Sequence, residues 1–181
     1  MCILVEKSLI LLFVLVCSVL SFAQKKSVQS QKSHSESGAL TWDLGASVGS
    51  YAGASYSQID LGLNWRLNDY LTWRNDLFSR FGNTANQASG LDSSLRFEYN
   101  GQSDGGGIGY RLFAGPGVRI STAANTGYFA EAGTTLRIGG LNIGGGVKVI
   151  QYTTPGRDST GQTLSPSDVS YFLIFSGGGV M

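Results

Sequence analysis

The chain has 181 residues, enough for one domain, and its net charge of +1 gives no pull towards nucleic acid. Charged residues make up 14% of it, well under the roughly 25% of ordinary soluble domains. Its two cysteines, Cys2 and Cys17, both precede the segment read below as the folded domain, which excludes a disulfide framework there.

Lys7 gives a short basic start, Ser8 to Leu20 is apolar, and Ser21-Phe22-Ala23 supplies small residues where a signal peptidase needs them. The expectation is a secretory signal over 1–23, cut before Gln24. An uncleaved anchor is the alternative, but the apolar run is shorter than the about 20 residues a spanning helix needs. A lipoprotein signal at Cys17 has Val16 where a small residue is expected. Residues 24–38, "QKKSVQSQKSHSESG", hold one apolar residue, Val28, and read as a disordered polar leader. The single histidine, His34, lies there beside Ser35 and Glu36. Neighbours in a leader without a core have no fixed geometry, so a solvated linker is the preferred reading.

From Ala39 the pattern has a period of two. Eight strands are predicted: Ala39–Gly49, Ser57–Leu67, Leu71–Phe81, Leu91–Asn100, Ile108–Ile120, Tyr128–Ile138, Leu141–Gln151 and Val169–Gly178. Each is close to the 9–11 residues of a tilted membrane strand. Outside the signal no run has helical periodicity. The connections alternate. Asn68–Tyr70, Gly101–Gly107 and Gly139-Gly140 are mostly tight, while Ser50–Tyr56, Gly82–Gly90, Ser121–Gly127 and Thr153–Asp168 are longer on average. The fold class is therefore all-β, an eight-stranded antiparallel up-and-down transmembrane barrel over residues 39–181.

The direction of the two faces follows from the charges. Asp43, Asp60, Arg66, Arg74, Asp76, Arg80, Asp92, Arg96, Glu98, Arg111, Arg119, Glu131, Arg137 and Lys148 all fall opposite the Leu/Trp/Val face. From Ala39 on there are eight Arg to one Lys and eight Asp to two Glu. The planar fork of arginine suits enclosed bidentate pairs, so these residues are predicted to form an interior charge network. Aromatic residues gather near the strand ends of the apolar face. Trp42, Trp65, Trp73, Tyr99, Tyr110 and Phe175 lie at the short-turn end, and Phe81, Tyr128 and Tyr171 at the long-loop end. Two such belts suit the two interfaces of a bilayer. A soluble periplasmic lipocalin-like barrel, with the faces reversed, is the alternative.

On these residues the stretch from Ala39 to Met181 resembles the small eight-stranded outer-membrane barrels of the OmpX and OmpA type. The resemblance implies the outer membrane of a Gram-negative bacterium. It implies contact with outer-membrane lipid and lipopolysaccharide, insertion by the barrel-assembly machinery, and a monomer. The chain ends "FSGGGVM". Ser176-x-Gly178-x-x-Met181 matches part of the assembly signal of such barrels, without their terminal Phe.

Eight strands enclose room for side chains only, which argues against a porin-like pore. Inward glycines such as Gly45, Gly62, Gly115, Gly117, Gly133, Gly144 and Gly146 line a cavity or, in the preferred reading, make room for arginines. No histidine follows Ala39, which leaves no Ser-His-Asp triad or His-ligated metal site. "GGLNIGGG" lacks the Lys-Ser/Thr of a phosphate loop. No catalytic, cofactor-binding or metal residue is predicted. The expected function is a non-enzymatic surface structural or interaction protein, with adhesion or host contact through its loops. Thr153, Arg157, Asp158, Thr160, Gln162 and Asp168 of the longest loop are the candidate binding residues for an unknown surface partner. The alternative is a barrel enzyme or a small-ligand or lipid-binding barrel.

Two registers are also expected. A Gly139-Gly140 turn sets Ile138 opposite Leu141 and Arg137 opposite Asn142, and puts Glu131 opposite Lys148 as an inward ion pair. A three-residue loop, Asn68–Tyr70, sets Trp65 opposite Trp73.

Overall fold

A computed structural model describes residues 40–82, 87–102, 108–122, 125–138, 141–153, 155, 157, 161 and 163–177. The signal and leader expectations, the Gly139-Gly140 turn, the C-terminal assembly signal from Gly178, and Asp158, Thr160 and Gln162 lie outside the described residues.

Eight strands form: β1 (Leu40–Tyr51), β2 (Ala54–Asn68), β3 (Leu71–Phe81), β4 (Ala88–Gln102), β5 (Ile108–Ser121), β6 (Gly127–Ile138), β7 (Leu141–Tyr152) and β8 (Ser167–Gly177). Each pairs antiparallel with its neighbour in sequence, and β1 pairs with β8, so the sheet closes. Closure leaves no free edge, and every ladder partner comes from within the sheet.

The alternation decides which way each side chain points. Leu44, Leu61, Leu77, Leu91 and Ile120 stand in register across five consecutive strands and face outward. One residue along, Asp43, Gly62, Asp76, Asp92 and Arg119 form the matching inward row. Leu61 is 51% exposed, whereas Asp76 and Asp92 are each 1% exposed. A soluble barrel has the reverse distribution. The outward apolar row is stable only against lipid, so the lipocalin-like alternative is set aside.

Both predicted registers hold. Ile138 pairs with Leu141, Arg137 with Asn142 and Glu131 with Lys148. Trp65 pairs with Trp73, their rings 5.6 Å apart, but the three-residue loop is corrected: β2 runs to Asn68, leaving Asp69-Tyr70 between the strands, and a register shift between Arg66 and Asn68 takes up the extra residue. The predicted longer connection Ser50–Tyr56 is corrected. β1 runs on to Tyr51 and β2 starts at Ala54, leaving Ala52 and Gly53 as the turn, with φ of 55° and 78°. Two consecutive positive φ values match the right-handed twist of a two-residue hairpin. Pro116 has no N–H to give, and the β4–β5 ladder passes from Ser94–Gly117 to Phe97–Ala114 without pairing it.

Candidate functional site: a rim groove over a filled interior

The inward side chains cross the lumen and meet. Arg74 donates to both oxygens of Asp43, at 2.7 and 3.1 Å, and also pairs with Asp76 on its own strand. Arg96 of β4 holds Glu131 of β6 with bonds of 2.8 and 3.1 Å. Asp92 accepts two 2.7 Å bonds from Arg119 and one of 2.8 Å from Lys148. The predicted Glu131–Lys148 ion pair is therefore corrected. The two lie side by side as the register requires, but Lys148 reaches across to Asp92 while Glu131 is taken by Arg96 and Ser94. Arg111 lies 3.6 Å from Glu98 and donates to Asn100 near the short-turn end. Arg66 is half-buried there and Arg137 is exposed, so both stand at the mouth rather than inside the network. Asp60 is buried and accepts from Gln58 at 2.6 Å, with no cation in ion-pair distance among the described residues.

Four of these cations also lie on aromatic rings. Arg80 stacks 3.8 Å over Tyr56, Arg119 4.1 Å over Phe78, Arg96 4.3 Å over Phe113 and Lys148 4.6 Å over Phe129. These inward rings were not anticipated from the sequence, where the apolar pattern drew attention to the outward face. They also change the account of the glycines. A Cβ on Gly117 would strike the Phe129 ring, one on Gly133 the Phe113 ring and one on Gly146 the Phe172 ring. At these positions the room serves rings rather than arginines. Among the described residues a central cavity of about 10 Å³ is lined by Ser47, Asp60, Arg96 and Lys148 among others. That is about the space of one water molecule.

The aromatic belt residues sit outward as expected. Trp42, Trp73, Tyr99, Tyr110, Tyr128 and Tyr171 are all exposed, and Trp65 is half-exposed beside Trp73.

The candidate binding loop fares differently. Thr153 donates its hydroxyl to the Thr126 carbonyl at 3.0 Å, and Arg157 forms a bridge with Thr163. Leu164 packs down onto the cluster of Tyr51, Tyr56, Phe129, Ile150 and Tyr152. Asp168 belongs to β8 and is 2% exposed, so its assignment to the loop is corrected. It faces inward because it continues the alternation of Ser170 and Phe172. Its Oδ2 accepts from Tyr56 at 2.8 Å, Tyr152 at 2.9 Å and Arg80 at 3.1 Å. Its Oδ1 is buried with no hydrogen-bond partner among the described residues.

Above this carboxylate, at the long-loop rim, lies an open groove of about 910 Å³ on the outer wall. Its floor is where β1 and β2 pair Ser50 with Ser55 and Val48 with Ser57. These serines occupy outward positions where the rest of both strands carries mostly Leu, Ile, Val or Trp. Val169 and Tyr171 of β8 wall one side and Phe81 of β3 the other. Asp168 and Tyr56 also line it. The β1–β8 ladder pairs as far as Ser50–Val169. The sequence carried one signal of this groove, the run of serines breaking an outward apolar face.

A closed antiparallel barrel with aliphatic and aromatic side chains outside and paired charges inside is of the outer-membrane kind. Among solved structures it is similar to the crystal structure of the outer membrane enzyme PagL. The match has 19% sequence identity and a TM-score of 0.49, and covers 74% of this chain and 97% of that one. No family model matches the chain, and no curated protein matches it. At that identity the likeness concerns the barrel fold alone. The expectation of a non-enzymatic surface protein is corrected only to this extent: the similar structure is that of an outer membrane enzyme, and the expectation is not carried further.

Proposed function

We propose that this protein is an outer-membrane barrel that binds a membrane lipid in its rim groove, where any chemistry on that lipid also takes place. The amphipathic lining of the groove is the observation that carries the reading. Val48, Val169, Tyr171 and Phe81 match an acyl chain continuous with the lipid-facing band, and Ser50, Ser55 and Ser57 offer hydroxyls at headgroup height. A volume of about 910 Å³ is at the upper end of ordinary ligand sites. The localisation rests on the outward apolar face, its aromatic ends and the secretory signal read over 1–23. The surrounding partners are the lipids of that membrane and, during insertion, the barrel-assembly machinery.

The test is lipid retention. The full chain is refolded, given a bilayer lipid, exchanged into detergent and weighed by native mass spectrometry. The unaltered barrel should retain a lipid that the double variant Ser50→Leu, Ser57→Leu loses, with heat-modifiable gel migration showing that both are folded. Equal retention would place the lipid elsewhere. Mass analysis of the recovered lipid separates a binder from an enzyme, since an enzyme returns it chemically altered.

A further inference from the structure

We infer that the rim groove selects a lipid whose headgroup is uncharged and rich in hydroxyls, read by Ser50, Ser55 and Ser57. The inference rests on the lipid-binding reading above and adds the headgroup chemistry to it. All three serines are exposed on the outer wall and line the groove. None of their hydroxyls makes a hydrogen bond among the described residues. The outward serines of β3 and β4 differ, because they are paired within the wall. Ser93 accepts from Trp73 at 3.0 Å, and the hydroxyls of Ser79 and Ser89 lie 3.4 Å apart. Ser50 stands opposite Ser55, and Ser57 lies two residues further along β2. A cross-strand spacing of about 5 Å and a two-residue rise of about 7 Å give a hydroxyl patch the size of one small polyol.

The charge around the groove sets which polar headgroup fits. Its exposed lining carries no charged side chain. Asp168 is buried behind that lining and faces the interior, where Arg80 pairs with it at 3.1 Å. Residues 50–56 and 82–90, which connect the neighbouring strands at this rim, contain no Asp, Glu, Lys or Arg. Between Thr153 and Ser167 the charges are Arg157 and Asp158, of opposite sign. A phosphate drawn into the groove would give up water without gaining a cation. The exposed rings of Phe81 and Tyr171 add to the discrimination, because an aromatic face is negative. A serine hydroxyl both donates and accepts. So does each hydroxyl of a polyol, whereas a phosphate only accepts and an ammonium only donates.

The full chain, refolded in a maltoside detergent, is offered glucosyl diacylglycerol, diacylglycerol and phosphatidylglycerol with identical acyl chains, and the bound lipids are counted by native mass spectrometry. The glucosyl lipid should be retained at least roughly tenfold over each of the other two, the scale of two net hydrogen bonds. Diacylglycerol lacks the ring of hydroxyls. Phosphatidylglycerol keeps two hydroxyls but adds a charge that nothing in the groove offsets. The triple variant Ser50→Ala, Ser55→Ala, Ser57→Ala should bring the ratio of glucosyl lipid to diacylglycerol close to one. Ser57→Lys should turn the preference towards phosphatidylglycerol. Heat-modifiable gel migration shows that the variants are folded, and the ranking on the unaltered chain tests the inference without them. Phosphatidylglycerol retained as well as the glucosyl lipid would overturn the inference and leave the lipid reading standing. Diacylglycerol retained as well as the glucosyl lipid would also overturn it, in favour of a groove that reads acyl chains alone. An unchanged ratio in the folded triple variant would place the recognition away from the serines and overturn it too. Retention of none of the three would remove the lipid reading along with it.

Discussion

Lys148 stands directly opposite Glu131 in the β6–β7 ladder, yet its Nζ lies 2.8 Å from Asp92 Oδ2 on β4, across the lumen. The ladder sets which residues are neighbours, and the lumen sets which of them pair. Asp92 collects Lys148 and Arg119, and Glu131 collects Arg96 and Ser94. Lys148–Asp92, Arg96–Glu131 and Arg74–Asp43 are chords across the lumen that tie non-adjacent strands together, whereas Arg119–Asp92 is a rung of the β4–β5 ladder.

A double-mutant cycle measures this directly. Lys148→Met with Asp92→Asn should show a coupling energy at least about 1 kcal/mol larger than Lys148→Met with Glu131→Gln, because contact pairs couple by roughly 0.5–3 kcal/mol. Denaturant midpoints of the refolded barrel in lipid vesicles give the four corners of each cycle. A larger coupling to Glu131 would show that the ladder neighbour is the energetic partner.

The outward row makes a separate prediction. Leu61 pairs with Leu44 and Leu77 on the outer face and is half-exposed. Leu61→Arg should cost about 2–4 kcal/mol near the bilayer midplane. Leu61→Phe should cost less than about 1.5 kcal/mol, since fluid lipid accommodates its shape where a packed core would not. Comparable losses for the two substitutions in vesicle refolding would contradict a lipid-facing position.

At the Ala52-Gly53 turn the two residues predict opposite signs. Ala52 holds φ of 55° with a Cβ, and Gly53 holds 78° without one. Ala52→Gly relieves a left-handed alanine and should stabilise by about 0.5–1 kcal/mol after the entropy that glycine adds to the unfolded chain. Gly53→Ala, with open space around it, should destabilise by about 1 kcal/mol through backbone strain alone. Urea midpoints read both signs.

Two inward glycines separate tight from tolerant positions. A Cβ on Gly62 would strike carboxylate oxygens of Asp43 and Asp76, the two partners of Arg74. Gly62→Ala should therefore cost about 1–3 kcal/mol by overpacking. On Gly45 the nearest atoms are the Asp60 Cβ at 3.2 Å and Oδ2 at 3.3 Å, and Asp60 is in a hydrogen bond with Gln58 and in no ion pair among the described residues. Gly45→Ala should change stability by less than about 1 kcal/mol. The ranking, checked by thermal migration shift on unboiled gels, reverses if the interior glycines serve only as a general reserve of space.

The sequence alone determined what depends on neighbours along the chain. Side-chain direction alternates every residue in a strand, so the strand count, the outward row through Leu44, Leu61 and Leu77, and the inward phase of Asp43, Arg74 and Glu131 could be read from spacing. So could the pairing of Trp65 with Trp73, since a hairpin register is fixed by its loop length. Tertiary structure decided what depends on closure. Only a closed barrel brings β4 within reach of β7, so the choice of Asp92 over Glu131 by Lys148 is absent from any local pattern. It also turned Asp168 inward beneath Tyr56 and Tyr152, set rings against Gly117, Gly133 and Gly146, and joined Ser50, Ser55 and Ser57 with Val169 and Phe81 from flanking strands into one groove. Those contacts join residues up to 112 positions apart, and their energies depend on distances across the lumen that sequence spacing does not encode.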